Sequence, residues 1–74
     1  MIERKIKMEV TINGNELVIP TAVDTITKLI KHLEINNPVV IVEYNDVILQ
    51  KEAHENTMIQ SSDRIEFIQF VGGG

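Results

Sequence analysis

The sequence predicts an α+β domain in which one helix packs on one face of a β-sheet. Three observations predict it. Ile6, Met8, Val10 and Ile12 alternate with polar neighbours, the period of two that marks a half-buried strand. Ile26, Leu29, Ile30 and Leu33 fall three and four residues apart, the apolar stripe of an α-helix. Val39-Val40-Ile41-Val42-Glu43-Tyr44 is β-branched and apolar almost throughout, as an interior strand is. The element order β-β-α-β-β-β gives a sheet with its helix on one side.

Each element has a local reason. Asn13-Gly14 follows the first strand and suits the positive φ angles of a tight hairpin turn. Leu17-Val18-Ile19 returns as the second strand, which Pro20 ends by withholding a donor from the ladder. Asp24 or Thr25 supplies the N-cap oxygen of the helix. Thr27, Lys28, Lys31 and His32 occupy its other faces, and Asn36-Asn37-Pro38 is expected to close it, because the residue before proline is steered out of the helical region. In the third strand Glu43 sets the parity: with it facing out beside Ile41, the residues Val40, Val42 and Tyr44 face the helix. Asn45-Asp46 turns the chain into a short strand, Val47-Ile48-Leu49. Gln50 to Ser62 is polar and irregular, with Met58 and Ile59 expected to anchor it and Met8 and Met58 to fill the core. Asp63 precedes the last strand, Ile65 to Phe70. If Ile65 and Phe67 point to the core, Ile68 and Phe70 fall on the opposite face.

Composition narrows the function. A chain of 74 residues makes one domain, and its 43% hydrophobic content allows a packed core, though a small one. A domain of this size buries only about 60% of the surface its unfolded chain exposes. Cysteine is absent, so there is no disulfide, thiol nucleophile or thiolate ligand. No apolar run approaches the ~20 residues of a membrane span, and Met1 to Val10 lacks the apolar core of a signal peptide. Neither membrane nor nucleic acid is expected as a partner, since a net charge of −4 would repel phosphate. The cytoplasm is the expected location. His54 lies among Glu52 and Glu55, but one imidazole without a second ligand motif predicts no metal site. No Ser-His-Asp arrangement is legible, and no glycine loop opens a helix to cradle phosphate, so the chain is expected neither to catalyse nor to bind ATP by itself.

The glycines end the chain instead. The last strand runs straight into Val71-Gly72-Gly73-Gly74. Glycine has no Cβ to collide with a narrow channel. Extended, the segment from Val71 to Gly74 reaches roughly 13 Å, at about 3.3 Å per residue. It is either a reactive tail that carries its carboxylate into another protein, or a disordered end or expression scar.

Asn13-Gly14, the helix Thr25-Ile26…Leu29-Ile30…Leu33, the strand Val40-Ile41-Val42-Glu43-Tyr44-Asn45, and Asp63-Arg64-Ile65-Glu66-Phe67…Phe70-Val71-Gly72-Gly73-Gly74 occur in that order. In these the chain resembles the ubiquitin-like β-grasp sulfur carriers, most closely the ThiS family of thiamin biosynthesis, over nearly its whole length. The likeness implies a mixed sheet with one main helix on one face, a β-grasp domain over residues 1–71, and a flexible C-terminal glycine tail over 72–74. It departs from the family pattern at Ser61-Ser62-Asp63, commonly Asp-Gly-Asp, and at Leu49-Gln50-Lys51, which lacks the usual Val-Pro-Arg.

The resemblance also implies a chemistry. A ThiF-like adenylating enzyme would spend ATP to activate the Gly74 carboxylate as an acyl adenylate. A persulfide donor such as a cysteine desulfurase would replace AMP with sulfur, and the resulting covalent thiocarboxylate would pass to thiazole synthase. The chain itself binds no cofactor and is a protein co-substrate, not an enzyme. Gly74 is the reacting residue. Gly72, Gly73, Val71, Phe70, Ile68 and Ile41 are the expected partner-binding residues, because exposed apolar neighbours of the tail mark a docking site. Alternatively, the segment from Gln50 to Ser62 covers Ile68 and Phe70. Rival functions are the small subunit of molybdopterin synthase, a protein modifier joined to lysines, and a plain interaction module with an incidental tail.

Overall fold

Two Asn-led turns organise the sheet. The computed structural model describes residues 6–36 and 40–69. In the first hairpin β1 (Lys7–Ile12) pairs antiparallel with β2 (Asn15–Pro20), and Ile12 stands opposite Asn15. The loop is therefore Asn13-Gly14 alone, with φ of 50° and 83°, the signs a type I′ turn demands. The second hairpin joins β3 (Val40–Tyr44) to β4 (Val47–Leu49) with Tyr44 opposite Val47. Asn45 and Asp46 repeat the positive φ values, at 49° and 72°.

The last strand, β5 (Arg64–Gln69), enters between the hairpins, parallel to β1 and antiparallel to β3. The sheet order is β2-β1-β5-β3-β4, which makes it mixed and puts β5 at its centre. The outer edge of β2 is blunted by sequence. Thr21 N–H donates to the Ile6 carbonyl at 2.9 Å, so the antiparallel alternation turns the backbone groups of Glu16, Val18 and Pro20 outward. Proline there leaves no free N–H to recruit another strand.

Thr25, not Asp24, caps α1 (Ile26–His32): Lys28 N–H donates to Thr25 Oγ1 at 3.2 Å. Asp24 instead accepts from the Lys28 ammonium at 3.0 Å. The expectation that Asn36-Asn37-Pro38 closes the helix is corrected, although Asn37 and Pro38 lie outside the described residues. The helix ends at His32 because Glu34 turns left-handed, with φ of 56°. Glu34 N–H then bonds the Lys31 carbonyl and Ile35 N–H the Ile30 carbonyl, each at 3.1 Å. This is the Schellman arrangement, and Ile30 and Ile35 both pack on the core beside it.

The helix side of the sheet carries the core. Met8, Val10, Ile12, Ile19, Val42, Ile65 and Phe67 from the strands meet Ile26 and Leu29 of α1, with Ile59 closing one end. Tyr44 packs half-buried against them; the side chain of Val40 lies outside the described residues. Met8 fills the core as expected, but Met58 does not: it is 54% exposed while Ile59 is 5%. Neighbours on an extended backbone point to opposite sides, so only one of the two can anchor. Ile59 N–H bonds the Asp24 carbonyl at 2.8 Å, and Thr27 N–H bonds the His54 carbonyl at 3.2 Å. These bonds hold the segment from Gln50 to Ser62, which contains a short 3-10 turn at Lys51–Ala53, against the start of α1.

Ser62 stands where the resemblance puts glycine, and it adopts φ of 74°. A left-handed non-glycine residue costs roughly 1–2 kcal/mol. Glycine would return up to about 1 kcal/mol of that as unfolded-state entropy. Ser62→Gly is expected to stabilise the domain by about 0.5–1 kcal/mol, which at about 4–8 °C per kcal/mol raises the thermal midpoint by several degrees. An unchanged or lowered midpoint in thermal denaturation would show that the serine is not strained.

Candidate functional site

The strand that leads to the C-terminus is clasped from both flanks. On one side Asn13 N–H bonds the Ile65 carbonyl at 3.0 Å, while Asn13 Oδ1 accepts from Phe67 N–H at 2.8 Å. On the other, Asn45 N–H bonds the Arg64 carbonyl and Asn45 Oδ1 accepts from Arg64 N–H, each at 2.8 Å. Both hairpin turns thus extend the ladder of β5 with a side-chain amide. The sequence marks these asparagines as turn formers only. Their second role carries no local signal, because Asn13 and Phe67 are 54 residues apart.

Asp63 fixes the entry to the strand. One carboxylate oxygen accepts from the Tyr44 hydroxyl and from Gln60 N–H, the latter at 2.8 Å. The other faces the Asn45 amide at 3.3 Å, and the Asp63 carbonyl accepts from Thr11 N–H at 2.9 Å. The Tyr44 hydroxyl also reaches the Met58 carbonyl at 3.0 Å. Burial, the hydrogen bond to Asp63 and the charge of that carboxylate push the Tyr44 pKa up to about 12.

With this strand so held, its parity is settled. Ile65 and Phe67 are buried, and Ile68, on the opposite face, is 41% exposed. Ile41 stands directly across from Ile68 in the register and is half-buried. The structure therefore brings together the two described members of the expected patch. Phe70, Val71, Gly72, Gly73 and Gly74 lie outside the described residues. The segment from Gln50 to Ser62 does not cover Ile68; it is bonded to the start of α1, on the other side of the sheet.

Two residues further from the C-terminus, Glu66 faces Glu43, which in turn faces Ile48 of β4, 62% exposed. Beyond them Arg64 pairs with Asp46, both side chains largely exposed. An exposed pair of this kind contributes about 0–1 kcal/mol. A groove of about 420 Å³, lined by Lys7, Glu9, Val18, Ser61 and Ser62 among others, opens beside β1 and β2. It lies on the strand pair that does not carry the C-terminus.

His54 is buried, with its Nε2 unpartnered, and burial pushes its pKa below the ordinary value. Lys51 adds to that fall and Glu52 opposes it. Among the described residues no group of three or more His, Asp or Glu side chains could hold a metal ion. No helix among them is long and apolar enough to cross a membrane.

Comparison with known proteins accounts for this architecture. The ThiS family model matches residues 7–74, from β1 to the last glycine. The chain belongs to the ThiS family. It is 35% identical over 63 residues to the sulfur carrier protein ThiS of Bacillus subtilis, spanning 85% of this chain and 96% of that one. It is 33% identical over 63 residues to the uncharacterized protein ycf40 of Trieres chinensis, spanning 85% of each. The crystal structure of a thiamine biosynthesis protein (ThiS) from Geobacter metallireducens superposes with a TM-score of 0.78 at 33% identity, covering 90% of this chain and all of that one. The ThiS β-grasp is thus the fold of this chain, as the resemblance implied, and sulfur carriage within thiamin biosynthesis is the role that the names of these relatives attach to it.

Proposed function

We propose that this ThiS-family chain carries sulfur as a thiocarboxylate on Gly74, for delivery to thiazole synthesis. The observation that carries the reading is the chain end: a central strand clasped on both flanks leads directly into Val71-Gly72-Gly73-Gly74. A rigid strand fixes where the tail starts, and glycine leaves its tip free to enter an active site. Ile41 and Ile68 supply apolar surface near that start, with Phe70 and Val71 continuing it in sequence. Such contacts offset the ordering of the tail, about 1–2 kcal/mol per residue.

The chemistry belongs to partners. A ThiF-like adenylating enzyme brings the Gly74 carboxylate to the α-phosphate of ATP; pyrophosphate leaves and an acyl adenylate forms. The terminal sulfur of a donor persulfide attacks the Gly74 carbonyl and expels AMP. A second thiol cleaves the acyl disulfide so formed, leaving the thiocarboxylate and a disulfide. A side chain at Gly74 would crowd the tetrahedral centre that forms at its carbonyl. The carrier contributes the reacting group and the docking surface, and is a co-substrate in each step.

Intact-mass analysis after incubation with a ThiF-type enzyme, ATP, magnesium and sulfide tests the reading. The expected gain equals exchange of one oxygen for one sulfur, located on the C-terminal peptide. Methionine oxidation gives nearly the same shift, and exposed Met58 is the first place to look for it. An unmodified C-terminal peptide, with the enzyme active on another carrier, would overturn the proposal.

A further inference from the structure

The outer face of the sheet changes character with distance from the C-terminus. Nearest the chain end, Ile41 and Ile68 form an apolar pair across β3 and β5. The next outward row, about 7 Å back at about 3.3–3.4 Å per residue, is Glu66, Glu43 and Ile48 across β5, β3 and β4. The row after that is neutralised by Arg64 and Asp46.

The middle row is unusual. Like charges directly opposite on neighbouring strands destabilise a sheet. Among the described residues neither Glu43 nor Glu66 has a cation within ion-pair distance, although Arg64 sits one row away and pairs with Asp46 instead. The sheet thus retains two facing carboxylates, bordered by exposed or half-buried Ile41, Ile68 and Ile48, with no internal compensation among those residues.

Any protein that takes the tail into its active site must sit over the end of β5, since the last described residue of that strand is Gln69 and the tail follows it. Its contact surface continues across Ile68 and Ile41 and meets the acidic row next. We propose that the Glu43–Glu66 pair is a recognition element of this chain, seating an arginine of the adenylating partner within an apolar collar. The inference rests on the sulfur-carrier reading above. A guanidinium suits the position because its planar fork serves two carboxylates at once, and it is more weakly hydrated than an ammonium, so covering it with the collar costs less. Ile41, Ile68 and Ile48 exclude water around the charges, which strengthens the contact. The pair also gives direction: an acidic patch beside the tail draws a basic surface to the correct end of the carrier before the apolar contacts close.

The test is association of the full-length chain with the adenylating enzyme of its own genome, followed by stopped flow at low and high salt. For the wild type the on-rate is expected to fall about tenfold or more between the two, as steered encounters do. E43Q/E66Q should associate more slowly at low salt and lose most of that dependence. Its thermal midpoint should be unchanged or higher, because the facing charges are gone, and adenylation at saturating carrier should match the wild type. E43R/E66R should lose binding altogether. An on-rate and salt dependence for E43Q/E66Q equal to wild type would overturn the inference and leave the carrier reading intact. So would a wild-type chain that self-associates in sedimentation through Glu43 and Glu66, the face then being a contact between copies. A wild type that neither binds nor is adenylated would overturn the carrier reading, and this inference with it.

Discussion

Removal of Gly73 and Gly74 is expected to abolish adenylation and thiocarboxylate formation while leaving the fold and thermal midpoint nearly unchanged. Without them the chain would end at Gly72 and fall short by about 7 Å, at about 3.3 Å per residue, of where its carboxylate now reaches. A carboxylate that cannot reach ATP in a partner's site loses the whole advantage of positioning, worth several orders of magnitude in rate. Gly74→Ala keeps the length and adds one methyl, so it should retain binding and lose most of the chemical step by crowding the carbonyl. The β5 ladder up to Gln69 and the core from Met8 to Phe67 involve none of these residues. Circular dichroism, thermal melts and intact mass on the two variants separate the effects. A truncated chain that still gains sulfur at its new end would remove the tail from the mechanism. A truncated chain that unfolds would make the glycines structural.

The largest loss of stability among the polar positions is expected for Asp63→Ala. The substitution removes the acceptor for the Tyr44 hydroxyl, Gln60 N–H and the Asn45 amide together. Hydrogen bonds to a charged group contribute about 1.5–3 kcal/mol each, but these are partly solvated and Tyr44 keeps the Met58 carbonyl, so a total of about 2–3 kcal/mol is expected. At about 4–8 °C per kcal/mol for a domain of this size, the midpoint should drop by about 10–20 °C. Tyr44 is the one tyrosine of the chain and there is no tryptophan, so ultraviolet titration reports it directly. Its pKa should fall from about 12 toward 10 in the variant, though not all the way, because burial alone also raises it. The linkage has a definite sign. Between pH 10 and 12 the unfolded chain has lost the phenolic proton and the folded one holds it, so wild-type stability declines as pH rises through that window. The variant should show a narrower decline. A tyrosine pKa unaffected by Asp63→Ala would mean that the hydrogen bond is not formed in solution.

Much of the fold was legible because it is encoded locally. Asn13-Gly14 and Asn45-Asp46 name their own turns, since few residues accept two consecutive positive φ angles. Alternation along Met8, Val10 and Ile12 and along Ile65 and Phe67 gives strand parity without knowledge of any partner. The same rule placed Ile41 and Ile68 outside. It failed at Met58, where two adjacent apolar residues compete for one inward position and only the bonding of Ile59 to Asp24 selects between them. It failed also at the end of α1. Proline is a visible stop, but Glu34 stops the helix earlier by a left-handed turn whose stabilising contact is the packing of Ile30 and Ile35 on the core.

The sequence by itself determined the strands, the helix, their order, the inward and outward sides, and the glycine end with its free carboxylate. Each depends on residues close together in the chain. Tertiary structure alone decided which strands are neighbours. Placing β5 between β1 and β3 closes contacts across most of the chain, and those rest on backbone hydrogen bonds and shared burial that no single segment specifies. That placement makes Asn13 and Asn45 clasps as well as turns. It also sets Glu66 opposite Glu43 beside Ile41 and Ile68. Register aligns side chains far apart in sequence, so the surface next to the tail exists only once the sheet has formed.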